Sequence, residues 1–426
     1  MKNFYIHSMG CKSNQFEGSI IKENLIKNGM IEVHNIEDAD LYILNSCSVT
    51  HKSNNEAMYL IRNAKHKNPN LKTILTGCIA QIEKEKLLEN EYIDIIVGND
   101  DKLNIYNILN SQNKITVSDI MHQHDFNYAV LNNTTKTRVS LKIQDGCDNR
   151  CSYCIIPYAR GKSRSAKPEF IIDQINNYAN KNFKEVILTG IHIGQWGKDI
   201  DSNIVELIKE IEKTDIKRYR LGSLNPTEIN EELLEILSNS NKFCPHFHLS
   251  LQSACNKTLK SMNRFYTVEN YLKQIEQINS IFDMPFLGSD IITGFAGETE
   301  DDFKTTVSNL EKSGLSQIHT FPYSIREGTA GAKILNQLPE EVRQERAEII
   351  KQISNKKYNE FVRKNIGTTR EILIEKQNDK KTGFLKGITK NYLTVIINSN
   401  NNAQKNTIKQ VKINDFNNGK IYGELV

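Results

Sequence analysis

The first hundred residues alternate short apolar runs with amphipathic stretches of helical period. This alternation is typical of parallel strands joined by crossover helices. The predicted strands are Phe4–Ile6, Leu41–Leu44, Thr73–Leu75 and Ile93–Val97. We therefore predict an open parallel α/β sheet domain over residues 1–120, with a helix near Leu103–Leu109 before a polar connector.

From residue 133 to residue 366 the strand and helix patterns repeat, at intervals of roughly 30 to 40 residues. Helices such as Pro168–Asn180 and Asp301–Ser313 are predicted between the strands. The predicted strands are Val139–Ile143, Glu185–Leu188, Arg218–Leu221, His246–Leu251, Leu287–Ile292 and Gln317–Phe321. Six repeats instead of eight predict a partial (β/α)6 barrel, whose chemistry should gather at the C-terminal ends of the strands.

The last part of the chain follows a long helical pattern from Leu338 to about Lys364 and is rich in β-forming runs. Glu371–Ile374, Tyr392–Ile397 and Lys420–Val426, separated by Asn and Gly turns, predict a small β-barrel over residues 367–426. This segment has ten Lys and Arg against five Asp and Glu, whereas the whole chain has a net charge of only +4. A basic barrel of this kind favours RNA binding, with a merely solvated lysine-rich surface as the alternative.

The composition is that of a globular protein of 426 residues, long enough for about three domains. No signal-peptide pattern and no long apolar run are found, so we expect a cytoplasmic protein without a membrane span. In a reducing compartment the eight cysteines are better explained as ligands than as disulfides.

Three of these cysteines, Cys147, Cys151 and Cys154, fall within eight residues directly after the first barrel strand. Thiolate-rich sites with this spacing suit iron–sulfur clusters better than the paired cysteines of structural zinc. In a four-iron cluster, three protein ligands leave one iron open. A structural zinc site or a redox-sensing thiol cluster is the alternative.

A second set consists of Cys11, Cys47 and Cys78, each of which follows a predicted strand of the N-terminal sheet. The carboxyl ends of parallel strands lie on one edge of a sheet, so these thiols are expected to face one crevice. Three unrelated buried cysteines would be the simpler interpretation, because cysteine packs well as a small apolar residue.

The Cys-x3-Cys-x2-Cys loop, with Tyr153 before its last cysteine, resembles the signature of the radical S-adenosylmethionine enzymes. The resemblance implies that Cys147, Cys151 and Cys154 are catalytic, because they hold the [4Fe-4S] cluster whose open iron binds S-adenosylmethionine and splits it to a 5′-deoxyadenosyl radical. Residues 10–17, 45–50 and 77–81 are similar to the N-terminal domain of the methylthiotransferases. That family has a second [4Fe-4S] cluster on three cysteines, here Cys11, Cys47 and Cys78, and a C-terminal TRAM domain.

The ends of the other barrel strands also resemble cofactor-binding segments of the family. The positions expected to surround S-adenosylmethionine are Tyr153, Gly190, His192, Gln252, Ser253, Arg264 and Gly294. His246 and His248 should point into the barrel and pair with other polar side chains there. Cys244 and Cys255 match no ligand position.

The resemblance implies methylthiolation of tRNA, with an electron donor and a sulfur donor that the sequence does not identify. The segments around the cysteines most resemble the branch acting on N6-threonylcarbamoyladenosine at position 37. The alternatives are the branch acting on N6-isopentenyladenosine and, from another class, a non-catalytic iron–sulfur protein that binds RNA or carries electrons. Arg160, Lys162 and Arg164 lie just after the thiol loop and are expected to bind the threonyl carboxylate, or else tRNA phosphates.

Overall fold

The computed structural model describes residues 2–111, 113–132, 134–397 and 404–426, so the expected domain boundary at residue 133 lies outside the described residues. The N-terminal sheet has the order β2-β1-β3-β4-β5-β6, and all of its pairs are parallel. Its strands are β1 (Asn3–Ser8), β2 (Ile31–Glu32), β3 (Leu41–Ser46), β4 (Lys72–Gly77), β5 (Ile95–Val97) and β6 (Ile115–Thr116). The four predicted strands are confirmed, and two short edge strands are added.

Helices cover both faces of this sheet and bury an apolar cluster on each. They are α1 (Lys12–Lys27), α2 (His51–Lys67), α3 (Cys78–Ile82), α4 (Lys84–Leu88) and α5 (Ile105–Leu109), with 3-10 turns at Ile36–Asp38, Lys102–Asn104 and Ile120–His122. The helix expected near Leu103–Leu109 is thus confirmed. Helix α2 begins where the Thr50 side chain accepts a hydrogen bond from the Ser53 amide, which satisfies one of the unpaired donors of its first turn.

The central domain is a partial barrel made of two three-stranded parallel sheets. Single parallel bridges, Tyr219 with Phe243 and Leu224 with Leu249, join the two sheets. The strands are β7 (Val139–Lys142), β10 (Glu185–Thr189), β11 (Arg218–Leu221), β12 (His246–His248), β13 (Phe286–Thr293) and β14 (Gln317–Pro322), and a small ribbon joins β8 (Gln144–Asp145) to β9 (Arg164–Ser165). All six predicted strands are confirmed, although β12 ends earlier than expected.

Most helices of the central domain pack on the outside of the barrel against the largest apolar cluster of the molecule. The helices of this domain are α6 (Ile156–Arg160), α7 (Pro168–Asn180), α8 (Ile204–Glu212), α9 (Glu231–Ser238), α10 (Asn256–Ser261), α11 (Val268–Ile281), α12 (Glu300–Lys312) and α13 (Glu340–Asn365), with 3-10 turns at Ile193–Gln195, Lys198–Ile200, Pro226–Glu228 and Gly331–Lys333. Helix α12 begins at a capping box formed by Thr299 and Asp302, which explains its start one residue earlier than predicted.

The C-terminal domain is a closed five-stranded barrel in the order β15-β16-β17-β19-β18. Its strands are β15 (Thr369–Ile374), β16 (Leu385–Thr389), β17 (Thr394–Ile397), β18 (Ile408–Asn417) and β19 (Lys420–Leu425). The predicted barrel is confirmed, but β16 and β18 were not among the predicted strands. In β18 the exposed residues Lys409, Lys412 and Asn414 interrupt the buried apolar ones, and β16 has only Leu385 and Ile388 as apolar residues, which weakens the apolar signal of both.

The C-terminal barrel closes one end of the central barrel. Arg218 and Arg220, at the amino-terminal ends of the central strands, donate hydrogen bonds to the backbone carbonyls of Ile388, Thr389 and Lys390. The Tyr392 ring stacks on the His246 ring at 4.0 Å between centroids. The opposite end of the central barrel, with the C-terminal ends of its strands, faces the N-terminal domain.

None of the helices described in residues 2–111, 113–132, 134–397 and 404–426 is both long and apolar enough to cross a membrane.

Candidate active site

The first set of thiols lies on the loop that follows β7 and β8. The loop is held by two backbone hydrogen bonds, from the Cys147 amide to the Gly161 carbonyl at 3.1 Å and from the Cys154 amide to the Cys151 carbonyl at 3.0 Å. Gly146 has φ +73°, and a Cβ there would lie 1.8 Å from the Lys162 carbonyl oxygen, so only glycine fits this turn. The three cysteines are partly accessible free thiols.

These thiols influence one another electrostatically. Burial raises the pKa of Cys154 to about 12, and the neighbouring thiols of Cys151 and Cys147 contribute to the increase. Repulsion of this kind disfavours three thiolates side by side unless a metal centre neutralises them. The donor set therefore fits an iron–sulfur cluster.

Hydrogen-bond donors point at two of the three sulfur atoms. His192 Nδ1 lies 3.5 Å from Cys147 Sγ, and Arg264 Nη1 lies 3.4 Å from Cys151 Sγ. The other ring nitrogen of His192 contacts Glu228, and although burial lowers the pKa of His192, the contacts with Cys147 and Glu228 raise it to about 9. Donors of this kind favour the reduced form of an iron–sulfur cluster.

Arg264 is fixed in place by the end of the β12 segment. Its second guanidinium nitrogen donates to the Ser250 carbonyl at 2.8 Å, and its Nε donates to the Tyr266 hydroxyl at 2.8 Å. The Tyr153 side chain is half-buried against the apolar cluster that contains Phe295 and Tyr323. The sequence thus placed both Arg264 and Tyr153 next to the thiol loop.

Several other positions expected to bind the cofactor already form hydrogen bonds within the protein. The amides after Gly190, those of Ile191 and His192, donate to the Gln144 side chain at 3.0 and 2.7 Å. Two main-chain amides at this strand end are therefore already paired. Gln144 is a residue of this site that the sequence analysis did not identify.

Gln252, Ser253 and Gly294 lie around the same strand ends. Gln252 has φ +70°, an uncommon conformation for a residue with a side chain, and its backbone bridges to β13. Ser253 is buried, and its hydroxyl accepts from the Cys255 amide at 3.3 Å. At Gly294 the backbone packs against Arg343 of α13, and its amide donates to Glu298 at 2.7 Å.

The second set of thiols lies at the carboxyl ends of β1, β3 and β4, which are neighbours in the sheet. Gly10 has φ +79°, and a Cβ there would lie 2.7 Å from Cys47 Sγ, so the turn before Cys11 closely approaches the second cysteine. Burial raises the pKa of Cys47 to about 11, and the thiols of Cys78 and Cys11 contribute to the increase. The structure thus brings Cys11, Cys47 and Cys78 together.

Neither set encloses a single ion. Within the described part of the chain, no group of three or more His, Cys, Asp or Glu side chains stands close enough to hold one metal ion. In a four-iron cluster each thiolate binds a different iron, so its ligands stand further apart than those of a single ion.

Asn99 connects the two thiol sets. Its side-chain amide donates to the Ala159 carbonyl of α6 at 2.7 Å and contacts Cys78 Sγ at 3.7 Å. Helix α6 begins two residues after Cys154, and it contacts α3, which begins at Cys78. Both sets of thiols therefore lie close to the contact between the N-terminal and central domains.

The cations expected to bind substrate are placed differently from one another. Arg160 is buried and donates to both carboxylate oxygens of Glu17, at 2.6 and 3.0 Å. Arg164 is also buried, between Asp100 and the Arg160 carbonyl, at 3.4 and 3.0 Å. Only Lys162 is exposed. The expectation that all three cations are available to substrate is therefore wrong for Arg160 and Arg164, because both are paired with carboxylates of the protein.

Glu17 is the centre of this buried group. It also contacts Lys102, and its Oε1 lies 2.8 Å from Lys142. Against the effect of burial, Arg160, Lys102 and Lys142 hold the pKa of Glu17 well below its ordinary value. No local pattern marked Glu17 for this role, because its partners come from other parts of the chain.

Polar side chains line the open interior of the central barrel. His248 pairs with Asp290 at 3.2 Å and with the Ser223 hydroxyl at 3.0 Å, which confirms the expected pairing. His246 instead stacks on Tyr392, and burial lowers its pKa well below the ordinary value. His319 and Phe321, on the last strand of the barrel, are exposed.

Two family models match this chain. One is described as "Uncharacterized protein family UPF0004" and matches residues 3–98, and the other is the radical SAM superfamily, which matches residues 141–310. The first match covers the domain of Cys11, Cys47 and Cys78, and the second covers that of Cys147, Cys151 and Cys154.

Similar proteins cover almost the whole chain. A "Threonylcarbamoyladenosine tRNA methylthiotransferase MtaB" of Aquifex aeolicus is 36% identical over 91% of this chain and 95% of its own length. A protein with the same name from Bacillus subtilis is 34% identical over 93% and 90%. A "tRNA-2-methylthio-N(6)-dimethylallyladenosine synthase" of Clostridium botulinum is 32% identical over 97% and 95%.

Among solved structures, the radical S-adenosylmethionine methyltransferase TsrM from Kitasatospora setae is similar in fold. It has a TM-score of 0.53 and 12% sequence identity, and the match covers 75% of this chain and 72% of TsrM.

Proposed function

Because this chain belongs to the radical S-adenosylmethionine methylthiotransferase family, we propose that it adds a methylthio group to C2 of N6-threonylcarbamoyladenosine at position 37 of tRNA. Membership of this family makes it an enzyme, against the alternative of a non-catalytic iron–sulfur protein. The observation that carries the substrate proposal is the similarity to relatives named for threonylcarbamoyladenosine, of which that of Aquifex aeolicus is 36% identical over 95% of its length. The alternative substrate, isopentenyladenosine, is supported by the relative at 32%.

We assign three functional units to the chain. Residues 1–120 would hold an auxiliary [4Fe-4S] cluster on Cys11, Cys47 and Cys78. Residues 133–366 would hold the S-adenosylmethionine-binding cluster on Cys147, Cys151 and Cys154. Residues 367–426 would form a TRAM-like module that binds tRNA.

When bound, the clusters and S-adenosylmethionine supply the electron, the radical and the sulfur needed to replace an unactivated C–H bond. The protein orients these groups and keeps water away from them. His192 and Arg264 donate toward the sulfur atoms of the first site, and Tyr153 closes its apolar side. Gly190, Gln252, Ser253 and Gly294 shape the strand ends around the cofactor.

The contact between the two domains carries the sulfur-transfer part of this proposal. Asn99 lies between Cys78 and the helix that follows Cys154, so the two proposed clusters would lie on either side of this contact. This arrangement supports two clusters acting on one substrate atom.

The surface of the C-terminal barrel supports tRNA binding. Five exposed lysines lie on it, namely Lys380, Lys381, Lys405, Lys409 and Lys412. Regularly exposed cations on a small barrel suit the phosphates of a folded RNA. Since tRNA is the proposed substrate and all eight cysteines are free thiols, we place the activity in the reducing cytoplasm.

The test is methylthiolation by the protein with reconstituted clusters, S-adenosylmethionine, a reductant and sulfide. Transfer RNA carrying threonylcarbamoyladenosine should yield its 2-methylthio derivative, detected by mass spectrometry of nucleosides. Methylthiolation of isopentenyladenosine tRNA instead would assign the enzyme to the other branch. S-adenosylmethionine cleavage without product on either tRNA would contradict both assignments.

A further inference from the structure

A cavity of about 360 Å³ lies where helix α1, strand β7 and the C-terminal barrel meet. Lys12 and Ser19 of α1 line one side, Arg138 and Ser140 line the second, and Tyr392 lines the third. Ile187, which points into the central barrel from β10, lies at its inner end. The cavity therefore leads from the surface into the barrel interior, and its volume is that of a site for a small polar group.

The charges that line this cavity are mainly positive. Lys12, Lys136 and Arg138 contribute three cations, and Glu375 contributes the one carboxylate. The Glu375 carboxylate already forms two ion pairs, with Arg138 at 3.4 Å and with Lys386 at 3.5 Å. An anion that entered the cavity would thus be attracted and would find cations still available.

Lys12 is one of two cations of this lining, with Lys136, that the protein leaves unpaired among the described residues. It has no hydrogen-bond or ion-pair partner within the part of the chain that the structure describes. The charged groups acting on it include Arg138, Arg220 and Glu185. Glu185 is buried and engaged by Arg218 and Arg220, at 2.9 and 2.7 Å, so it leaves Lys12 open to a ligand.

The position of Lys12 connects this cavity with the proposed chemistry. It directly follows Cys11 of the second thiol set and is the first residue of helix α1. Consecutive Cα atoms are about 3.8 Å apart, so the backbone of Lys12 lies beside the Cys11 thiol, and Lys12 lines the cavity from there. The threonylcarbamoyl substituent has one carboxylate and one hydroxyl, which match an ammonium group and the hydroxyls of Ser19 and Ser140.

We propose that this cavity receives the threonylcarbamoyl side chain of the substrate and that Lys12 binds its carboxylate. The inference rests on the proposed function and identifies Lys12 as the residue that recognises the threonylcarbamoyl substituent. It replaces Arg160 and Arg164 in this role, since their guanidinium groups are buried against Glu17, Asp145 and Asp100. Lys12 thus contributes to substrate specificity and takes no part in the reaction itself.

The test compares anticodon stem-loops with three residues at position 37: threonylcarbamoyladenosine, its uncharged threoninamide analogue and unmodified adenosine. Dissociation constants are measured with the cluster-reconstituted protein and with the variants Lys12→Met and Lys12→Arg. Lys27→Met is the matched control, because Lys27 is exposed at the opposite end of the same helix. Iron content is measured for each variant.

Wild type should bind the carboxylate-bearing stem-loop about tenfold more tightly than its amide analogue, the size expected for a hydrogen bond to a charged group. Lys12→Met should lose this preference, whereas Lys12→Arg and Lys27→Met should keep it. Equal losses on all three stem-loops would assign Lys12 to a phosphate and overturn the proposal. A wild-type protein that binds the carboxylate-bearing stem-loop no more tightly than its amide analogue would also overturn the proposal.

A second measurement avoids any folding defect of the variants. In wild-type protein, the reactivity of Lys12 toward an amine reagent is followed by mass spectrometry. The threonylcarbamoyladenosine stem-loop should protect Lys12 more than the amide analogue does, and equal protection would contradict the proposal. Product formation without such a preference would overturn this inference alone, whereas absence of product on threonylcarbamoyladenosine tRNA would overturn the proposed function.

Discussion

The Arg160 guanidinium donates to both carboxylate oxygens of Glu17, with N···O distances of 2.6 and 3.0 Å. The two residues are 143 positions apart and belong to different domains. Both side chains are buried, with exposed fractions of 1% and 2%. Arg160 ends the helix that follows the first thiol set, and Glu17 lies on the helix that follows Cys11. The pair therefore links the helices that follow the two thiol sets.

Replacing Glu17 by Gln should strongly destabilise the protein. The change would leave Arg160, Lys102 and Lys142 buried without their shared carboxylate, which costs roughly 3 to 5 kcal/mol for a buried pair that loses one partner. The free energy of unfolding of the metal-free protein, from denaturant titration, measures this. Glu169→Gln is the control, since Glu169 is exposed on α7. A loss no larger than that of the control would show that the cations do not depend on Glu17.

The difference in free energy of unfolding between wild type and Glu17→Gln should depend on pH. The pKa of Glu17 lies well below its ordinary value of 4.5, so its contribution is fully present above that value and is lost as the pH falls toward the folded-state pKa. The stability difference between wild type and Glu17→Gln should be constant at neutral pH and shrink on acidification. A difference that grows on acidification would contradict this sign.

Each thiol set should account for about half of the bound iron. Changing Cys147, Cys151 and Cys154 to Ala should also abolish S-adenosylmethionine cleavage. Changing Cys11, Cys47 and Cys78 to Ala should spare cleavage and stop methylthiolation. Cys255→Ala is the control, because Cys255 is buried beside Asp302 and belongs to neither set. Continued methylthiolation by the N-terminal triple variant would rule out the auxiliary site.

Arg264→Met should lower the reduction potential of the first cluster. Reduction adds negative charge, and the variant removes a cation whose Nη1 lies 3.4 Å from Cys151 Sγ. A shift on the order of tens of millivolts is expected, measured by a redox titration followed by electron paramagnetic resonance. Lys260→Met, an exposed change on the neighbouring helix α10, should leave the potential unchanged. An unchanged potential in Arg264→Met would show that its charge does not act on the cluster.

Neutralising lysines of the C-terminal barrel should reduce the salt dependence of tRNA binding. If Lys409 and Lys412 contact phosphates, Lys409→Gln and Lys412→Gln should each lower the slope by about 0.7 to 0.9. Point changes are preferable to deletion of the barrel, because deletion would leave Arg218 and Arg220 without their carbonyl partners. Lys273→Gln, on α11 of the central domain, is the control. Slopes equal to that of the control would remove these two lysines from the RNA surface.

Local patterns were sufficient for the longer parallel strands and for the thiols. These strands of the N-terminal and central domains follow from apolar runs, and each cysteine set follows from its place at strand ends, because strand direction alone brings such ends to one edge. Strands β16 and β18 were missed, since β16 is short with Gly387 between its apolar residues, and exposed Lys409 and Lys412 interrupt those of β18. These inferences depend only on neighbours within a few residues.

The roles of the cations depended on contacts that no local pattern contains. Arg160 and Arg164 stand beside the thiol loop in sequence, and their position suggested substrate binding. Their partners, Glu17 and Asp100, come from the other domain, and burial makes compensation of charge decisive there. Lys12 gave no signal in the sequence, yet the packing of α1 against β7 and the C-terminal barrel leaves it as an unpaired cation of a cavity. A charge acquires its role from the groups that surround it after folding, and most of these are distant along the chain.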